Sequence, residues 1–252
     1  MAEFRVDQTD VWYVNLDHRP DRLEHVEGQL ARVGLRGRRM RGFRPDEWAG
    51  DPARVEVMRR RTPGAIGCHM SQVAIIGTAV GTERNVMVLE DDVCFCADFR
   101  ERLAEAEAFL AGREWDVLWL GATLHVRPAV WHAATLGRDA ERTEHPRFLR
   151  TYGIWSTYAY VVNAASAGKI LALMAERLHE SIGIDWLAIQ LQPQLQTFCY
   201  VPGMAWQYDN QSDIGNGITE FSGFRRLGPY VWADRREDFD PDGFDWGEAG
   251  RR

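Results

Sequence analysis

Three consecutive acids, Glu90, Asp91 and Asp92, directly follow the apolar run Asn85–Leu89. The run predicts a buried central strand. Because side chains alternate along a strand, Glu90 and Asp92 should point one way and Asp91 the other. Carboxylates crowded at a strand end repel one another unless a cation or solvent neutralises them. Such oxygen ligands suit Mn²⁺ or Mg²⁺, with substrate phosphates completing the shell. The alternative interpretation is that the acids cap the loop or helix after the strand.

The segment Val11–Arg22 offers a second set of polar groups at the end of a predicted strand. Asn15 and Asp17 close the strand, and Arg19 and Arg22 follow in a tight turn. Amide, carboxylate and backbone groups at such an edge can hold the base and ribose of a nucleotide, while arginine reaches phosphate. The same residues also fit a plain helix N-terminus, in which an Asp caps the helix and the arginines are exposed to water.

Two glycines, Gly64 and Gly67, precede a predicted helix that contains Ser71. Glycine permits close backbone approach, and the free N–H groups of a helix start attract an anion or a ligand oxygen. No GK[ST] sequence follows these glycines, which argues against a P-loop nucleotidase. No GxGxxG follows the first strand, which argues against a Rossmann dehydrogenase. The segment therefore indicates a binding site only in combination with the other two.

Short apolar runs alternate with helical periodicity along the chain, which predicts an α/β architecture. The predicted strands are Val11–Leu16, Asn85–Leu89, Asp116–Leu120, Thr157–Val162 and Thr197–Val201. The predicted helices are Asp21–Val33, Cys68–Val80, one that runs from a capping box at Asp98 and Glu101 to Leu110, Ala164–His179 and Asp185–Gln192. The arginine-rich stretch Arg36–Arg61 is predicted to be a loop. We expect one domain over residues 1–232 and an acidic, mobile tail over residues 233–252.

The composition argues against several classes of function. The 252 residues carry a formal net charge of −7, which disfavours a general polyanion-binding surface, so no nucleic acid partner is expected. The four cysteines form no CxxC pair, and neither a secretory signal nor an apolar run of about 18 residues occurs. We therefore expect free thiols, a cytoplasmic location and at most peripheral contact with a membrane.

Taken in order, these segments and three later ones resemble glycosyltransferase family 25, the group of bacterial lipooligosaccharide and collagen galactosyltransferases. The likeness covers roughly Val11–Ile214, and the matching sequences are VNLDHRPDR, GAIGCHMSQ, VMVLEDDV, STYAYVVNAASAGKIL, IDWLAIQLQ and WQYDNQSDI. Gln72 departs from the family, which commonly has His there, and residues 124–150 carry no recognised motif. The resemblance implies a GT-A type fold, a Rossmann-like α/β/α sandwich with a mostly parallel central sheet. It also implies inverting transfer from a UDP-sugar, often UDP-galactose, usually with Mn²⁺.

The resemblance also implies roles for individual residues. Glu90 and Asp92 would hold the metal. Asp185 would be the base that takes the proton of the acceptor hydroxyl, and the alternative for Asp185 is a helix N-cap. Asp209 or Asp213 would complete the metal shell or contact the acceptor, unless Asp213 belongs to a plain turn. The nucleotide sugar would be bound by Asn15, Asp17, Arg19, Arg22, Gly64, Gly67, Ser71 and Asp91.

The leading hypothesis is a glycosyltransferase that uses Mn²⁺ or Mg²⁺ and a UDP-sugar, with galactose favoured. Its acceptor would be a glycan, a glycolipid, a protein or a small molecule. Two other hypotheses stay open from the residues alone. A glycoside hydrolase would use two opposed carboxylates and no metal, and a non-catalytic module would bind a nucleotide sugar or a glycan on the same scaffold.

Overall fold

A mixed sheet of eight strands forms the centre of the chain. The computed structural model describes residues 3–44, 63–121, 140–154, 156–176, 184–201, 203–208, 210–214 and 218–219. The strands are β1 (Thr9–Asn15), β2 (Arg38–Arg41), β3 (Asn85–Glu90), β4 (Val93–Phe95), β5 (Val117–Trp119), β6 (Ala140–Arg142), β7 (Phe148–Thr151), β8 (Ala159–Val162), β9 (Thr197–Tyr200), β10 (Ala205–Gln207), β11 (Asn210–Gln211) and β12 (Ile218–Thr219). The sheet has the order β2-β1-β3-β8-β5-β9-β7-β6, and β4 with β10 and β11 with β12 form two small ribbons.

Parallel and antiparallel neighbours coexist in the sheet. Strand β1 is parallel to both β2 and β3, and β5 is parallel to β9. Strand β8 runs antiparallel between β3 and β5, and β7 is antiparallel to β9 and β6. The parallel strands β1 and β3 end at the same edge, at Asn15 and Glu90, and this edge carries the predicted site.

Helices cover both faces of the sheet, which gives the predicted α/β/α sandwich. They are α1 (Pro20–Arg32), α2 (Pro63–Gly77), α3 (Phe99–Leu110), α4 (Ala164–Glu176) and α5 (Ile184–Leu191). The core on one face contains Leu30 of α1 and Leu103 of α3, and the core on the other contains Ile75 of α2, Ile170 of α4 and Leu191 of α5. No helix among the described residues is long and apolar enough to cross a bilayer.

Strand β3 is buried on both faces, as its continuous apolar sequence predicts. Met87 and Leu89 enter one core, Val86 and Val88 enter the other, and each is at most 1% exposed. The strand first meets polar surroundings at Glu90, and the next two acids form the turn into β4. The sheet therefore delivers three carboxylates to the edge where β1 also ends.

The prediction of a loop over Arg36–Arg61 is wrong at its start, where Arg38–Arg41 forms β2 at the edge of the sheet. The backbone of β1 supplies its pairing partner, so β2 needs no apolar alternation of its own. Residues 45–61 of this stretch lie outside the described residues, as do Asp209, residues 124–139 and the predicted tail over residues 233–252.

Two predictions about helix starts are also wrong. Helix α2 begins at Pro63, so Gly64 and Gly67 lie within it rather than before it. Asp98 precedes α3 but makes no side-chain capping hydrogen bond, and its carboxylate instead pairs with Arg102 one turn later at 3.0 Å. At Asp98 an ion pair therefore takes the place of the predicted capping hydrogen bond.

Candidate active site

Asn15 joins three segments of the chain at the end of β1. It is 1% exposed, and its Nδ2 donates to Asp91 Oδ2 at 2.7 Å and to the carbonyl oxygen of Arg19 at 3.0 Å. Its Oδ1 accepts a hydrogen bond from Arg39 Nε at 3.0 Å. Both amide hydrogens and the amide oxygen are therefore engaged within the protein. Asn15 fixes the strand ends relative to α1, and its contact with a nucleotide stays a prediction.

Asp91 and Arg22 form a buried ion pair at this edge. Arg22 Nη1 donates to Asp91 Oδ1 at 2.8 Å, and the side chains of Asp91 and Arg22 are 7% and 10% exposed, respectively. Burial raises the pKa of Asp91, while the Arg22 guanidinium and the Asn15 amide oppose the rise. Arg22 Nη2 lies 3.4 Å from Asp92 Oδ2 and donates to the carbonyl oxygen of Gln211 at 3.0 Å. Asp91 is thus the buried counter-ion of Arg22, and a nucleotide would find neither of its oxygens unpaired.

Glu90 and Asp92 converge on a single amide group. Gln207 Nε2 donates to Glu90 Oε2 and to Asp92 Oδ1, each at 3.0 Å. Asp92 Oδ2 accepts a further hydrogen bond from Asn210 Nδ2 at 3.1 Å. The two outer acids therefore face one donor while the middle acid points toward α1, which confirms the predicted division although β3 ends at Glu90.

Glu90 lies in surroundings that disfavour its charge. Burial raises the pKa of Glu90 well above its ordinary value, and the nearby charges of Asp92 and Asp185 raise it further. Its second oxygen, Oε1, accepts a hydrogen bond from Gln72 Nε2 at 3.1 Å. A bound divalent cation would favour the ionised form, because it supplies opposite charge at short range.

The residues at this edge fit a divalent cation if the substrate supplies part of its coordination. Within the described ranges, no three His, Cys, Asp or Glu side chains are grouped so as to hold a metal ion. Glu90 and Asp92 nevertheless place two oxygens within 3.0 Å of one atom, the amide nitrogen of Gln207. Mg²⁺ is commonly held by one or two carboxylates, with phosphates and water completing its shell. Binding of Mn²⁺ or Mg²⁺ by these two acids stays a prediction, and it would require the Gln207 amide to move aside.

The residues Asn210–Ile214, here called the closing segment, lie across the start of α1. Arg19 pairs with the Asp213 carboxylate and donates to the carbonyl oxygen of Gln211 at 3.2 Å, and His18 Nε2 lies 3.1 Å from the same carboxylate. Burial would raise the pKa of Asp213, but hydrogen bonds from His18 and Arg19 hold it below its ordinary value. Asp213 therefore faces basic side chains, and the predicted contribution to a metal shell has no support from its position.

Asp185 lies in the first turn of α5 and shares the surroundings of Glu90. Its Oδ1 accepts a hydrogen bond from Thr157 Oγ1 at 2.9 Å. Burial raises the pKa of Asp185, and the hydrogen bond from Thr157 opposes the rise. A carboxylate with a raised pKa is a better proton acceptor near neutral pH than an ordinary one. The position is compatible with the predicted role as a base, which stays a prediction.

Comparison with known proteins identifies the family of this chain. Residues 8–185 match the family model described as "Glycosyltransferase family 25 (LPS biosynthesis protein)". The chain belongs to glycosyltransferase family 25. The resemblance seen in the motifs is thereby confirmed, and the α/β/α layering agrees with the GT-A type architecture that this family implies.

Curated relatives of this family 25 chain are considerably longer than it is. The chain is 28% identical over 195 residues to "Glycosyltransferase 25 family member" of Drosophila pseudoobscura pseudoobscura, a match that covers 69% of this chain and 28% of that protein. It is 29% identical over 198 residues to human "Inactive glycosyltransferase 25 family member 3", a match that covers 70% of this chain and 30% of that protein. The chain thus spans less than a third of the length of these relatives.

Solved structures show a more distant similarity. The galactosyltransferase LgtC in complex with donor and acceptor sugar analogs matches with a TM-score of 0.43 and 12% identity, over 76% of this chain and 73% of that one. The glycosyltransferase GlyE of Streptococcus pneumoniae TIGR4 matches with a TM-score of 0.44 and 11% identity, over 96% of this chain and 62% of that one.

Three residues predicted to bind the nucleotide sugar in this family 25 chain pack closely inside the fold. A side chain at Gly64 would overlap the backbone of the closing segment, and a side chain at Gly67 would overlap the carbonyl oxygen of Phe43. Ser71 is fully buried; its Oγ accepts from Phe43 N at 2.9 Å and donates to the carbonyl oxygen of Gly67 at 2.6 Å. Close packing of α2 explains these residue types, and their contact with a nucleotide stays a prediction.

Asp17 lies at the solvent-exposed rim of the site. Its carboxylate accepts hydrogen bonds from Arg39 Nη2 and Arg41 Nε, both at 2.7 Å, and its side chain is 58% exposed. These hydrogen bonds, that from Arg41 first, lower the pKa of Asp17. A ligand could reach Asp17 without disturbing the core, so its predicted contact with the nucleotide remains compatible with the structure.

The sequence predictions gave no role to four polar residues of the site, Gln72, Thr157, Gln207 and Asn210. All four lie in segments whose motifs carry the family resemblance. The motifs mark the segments, but the pairing of β4 with β10 decides which side chains meet. That pairing sets Gln207 opposite Val93, directly after the third acid. The amide and hydroxyl side chains within those motifs were the signal that could have indicated these four residues.

Proposed function

We propose that this chain transfers a sugar, with galactose favoured, from a UDP-sugar to an acceptor hydroxyl with inversion at the anomeric carbon. The observation that carries the proposal is the convergence of Glu90 Oε2 and Asp92 Oδ1 on one donor atom beside two arginines of the α1 start. Two carboxylate oxygens around a common point suit a divalent cation that also binds phosphate. Membership of a transferase family favours this function over glycoside hydrolysis.

Arg19 and Arg22 supply positive charge for the donor phosphates in this proposal. Arg19 pairs with the Asp213 carboxylate, and Arg22 donates to the Gln211 carbonyl oxygen. Phosphate oxygens are anionic acceptors that guanidinium groups bind through charge-assisted, often bidentate hydrogen bonds, as they bind carboxylates. Donor binding would therefore exchange the closing segment for phosphate at these two side chains. When bound, Mn²⁺ or Mg²⁺ would neutralise the charge that develops as the nucleotide departs.

Asp185 is the proton acceptor in this proposal. It takes the proton of the acceptor hydroxyl while that oxygen forms its bond to the anomeric carbon. The bond from that carbon to the phosphate oxygen breaks, and its electron pair leaves with UDP. Burial raises the pKa of Asp185, which suits a base working near neutral pH. The acceptor would be a glycan, a glycolipid, a protein or a small molecule, and the family description favours glycans of the lipopolysaccharide type.

A panel of nucleotide sugars with and without Mn²⁺ tests the proposal, by thermal shift and by release of UDP. A ligand at a hundredfold its dissociation constant should stabilise the protein by about 2.7 kcal/mol. We expect Asp92→Asn to lose the Mn²⁺-dependent part of this shift. We expect Asp185→Asn to keep the shift and to lower turnover by roughly 10²–10⁴-fold. Asp10→Asn is the matched control, because Asp10 pairs with Arg84 at the opposite end of β1.

A non-catalytic nucleotide-sugar-binding module is the second candidate. Three of the curated relatives carry "inactive" in their names, and in this chain Glu90 and Asp92 already accept hydrogen bonds from the Gln207 amide. Such a module would show the Mn²⁺-dependent stabilisation by UDP, release no UDP from any donor, and behave identically in the Asp185→Asn variant. Both candidates would be refuted if no nucleotide sugar stabilised the protein and none was turned over.

A further inference from the structure

Gln72 is a fully buried polar side chain that the proposed reaction leaves without a role. It projects from α2 and is 0% exposed. Its Oε1 accepts a hydrogen bond from Tyr160 Oη at 2.8 Å. Its Nε2 donates to Glu90 Oε1 at 3.1 Å and lies 3.4 Å from both Thr157 Oγ1 and Cys68 Sγ. The amide group of Gln72 therefore contacts both β3, at Glu90, and β8, at Tyr160.

The direction of these hydrogen bonds follows from the protons available. Burial raises the pKa of Tyr160 well above its ordinary value, so its hydroxyl keeps its proton and donates to the Gln72 oxygen. This fixes the amide nitrogen toward Glu90 and Thr157. The single hydroxyl proton of Thr157 is donated to Asp185 Oδ1 at 2.9 Å, so the Thr157 oxygen accepts from Gln72. Two chains of donors thus leave the same amide and end on two different carboxylates.

We propose that Gln72 is the positioning residue that orients Glu90 directly and Asp185 through Thr157, so that the predicted metal ligand and the predicted base are set by one amide. The inference rests on the proposed function. Both carboxylates lie in surroundings that solvate them poorly, where a fixed donor determines which oxygen a ligand meets. Partners of this kind behind a metal ligand typically change metal affinity or activity by about 10–100-fold when they are removed.

Two substitutions separate the two chains of donors. Gln72→Leu removes both, so it should weaken binding of UDP with Mn²⁺ by about 10-fold or more and also lower kcat. Thr157→Val removes the hydroxyl that links Gln72 to Asp185, and it keeps the backbone hydrogen bond from Thr157 to Asp185 and the hydrogen bond from Gln72 to Glu90. It should therefore lower kcat by about 10–100-fold and leave binding of UDP with Mn²⁺ within about twofold of wild type. Binding is measured by calorimetry with UDP and Mn²⁺, independently of turnover.

Gln192→Leu is the matched control for Gln72→Leu. Gln192 is 1% exposed, and its amide bonds the backbone of Ile154, with Nε2 donating to the carbonyl oxygen at 2.8 Å and Oε1 accepting from N at 3.1 Å. Its loss should lower stability and leave both kcat and the affinity for UDP with Mn²⁺ at wild-type values. If Gln72→Leu does not fold, Tyr160→Phe is the second test. It removes the hydrogen bond to the amide oxygen of Gln72, and it should lower the affinity for UDP with Mn²⁺ and kcat by smaller factors than Gln72→Leu.

The outcomes distinguish this inference from the proposed function. Wild-type protein that neither binds UDP with Mn²⁺ nor releases UDP from a donor refutes the proposed function, and the inference falls with it. An active wild type whose Gln72→Leu variant keeps both constants refutes the inference alone. The inference is also refuted if Gln72→Leu changes the constants no more than Gln192→Leu does, or if Thr157→Val weakens binding as strongly as it lowers kcat.

Discussion

The substitution Asp91→Asn tests whether the middle acid of the three serves the fold or a ligand. Asn keeps the shape of the side chain but removes the charge opposite Arg22, at a place where both side chains are at most 10% exposed. Both oxygens of Asp91 accept hydrogen bonds, one from Arg22 at 2.8 Å and one from Asn15 at 2.7 Å. The NH₂ group of the new Asn side chain would therefore face one of these two donors. A hydrogen bond to a charged group contributes about 1.5–3 kcal/mol.

Two features of the site limit the expected loss of stability. Removing one partner of an isolated buried ion pair costs about 3–5 kcal/mol because the other charge is left alone. Here Asp92 stays 3.4 Å from Arg22 and retains part of the compensation. Burial also raises the pKa of Asp91, which means that removing its charge from water costs free energy in the native protein. The neutral Asn side chain does not incur this desolvation cost. We therefore expect a loss of about 2 kcal/mol, or a melting temperature lower by about 4–8 °C.

Urea unfolding at neutral pH, followed by circular dichroism, measures this loss. Asp10→Asn is the control, since Asp10 and Arg84 form an exposed pair with side chains 30% and 48% exposed, and its loss should cost less than about 1 kcal/mol. Calorimetry at a temperature where Asp91→Asn is folded should show that UDP binding still depends on Mn²⁺. A variant as stable as wild type that no longer responds to Mn²⁺ would make Asp91 a ligand and refute the reasoning.

Two further predictions concern α2. Burial lowers the pKa of His69 to about 4 from 6.5, so only the unfolded chain takes up the proton as pH falls through this window. The contribution of neutral His69 to stability is fully present above about pH 6.5, and about 3 kcal/mol is lost toward pH 4. Urea unfolding at several pH values should show that His69→Phe removes this pH dependence of the free energy of unfolding. An unchanged pH dependence would contradict the prediction. Gly64→Ala should lower the free energy of unfolding by about 1–3 kcal/mol because its Cβ would overlap the backbone at Asp213. Gly28→Ala, in open space on α1, should raise the free energy of unfolding by about 0.5–1 kcal/mol. Equal effects of Gly64→Ala and Gly28→Ala would show that the closing segment moves away from the new side chain without cost.

The sequence was sufficient to predict the strands that end at the site. The unbroken apolar run before Glu90 predicts a strand buried on both faces, and β3 is one. The helical spacing after Asp17 predicts α1 to within a residue. These features depend on local periodicity and burial, which the order of residues records directly.

The contacts inside the site could not be predicted in the same way. Asp91 and Arg22 are 69 positions apart in the chain, and only the parallel pairing of β1 with β3 brings them together. The arginines of β2 carry no strand signal of their own, because the strand is held by the backbone of β1. Gly64 looks like a chain break, yet it lies inside a helix, where the backbone of Asp213 leaves no room for a side chain. Each failure involves a partner that is distant in sequence.

The two-stranded ribbon of β4 and β10 determines which side chain faces the acids. Its pairing sets Gln207 opposite Val93 and Trp206 opposite Cys94. A slip of one residue would exchange the two faces of β10, so the indole, which packs on the apolar core, would meet Glu90 and Asp92, and the amide would turn into that core. The spacing between β9 and the closing segment is therefore constrained in length as well as composition. Natural or engineered insertions there should be rarer and more damaging than substitutions at the same positions.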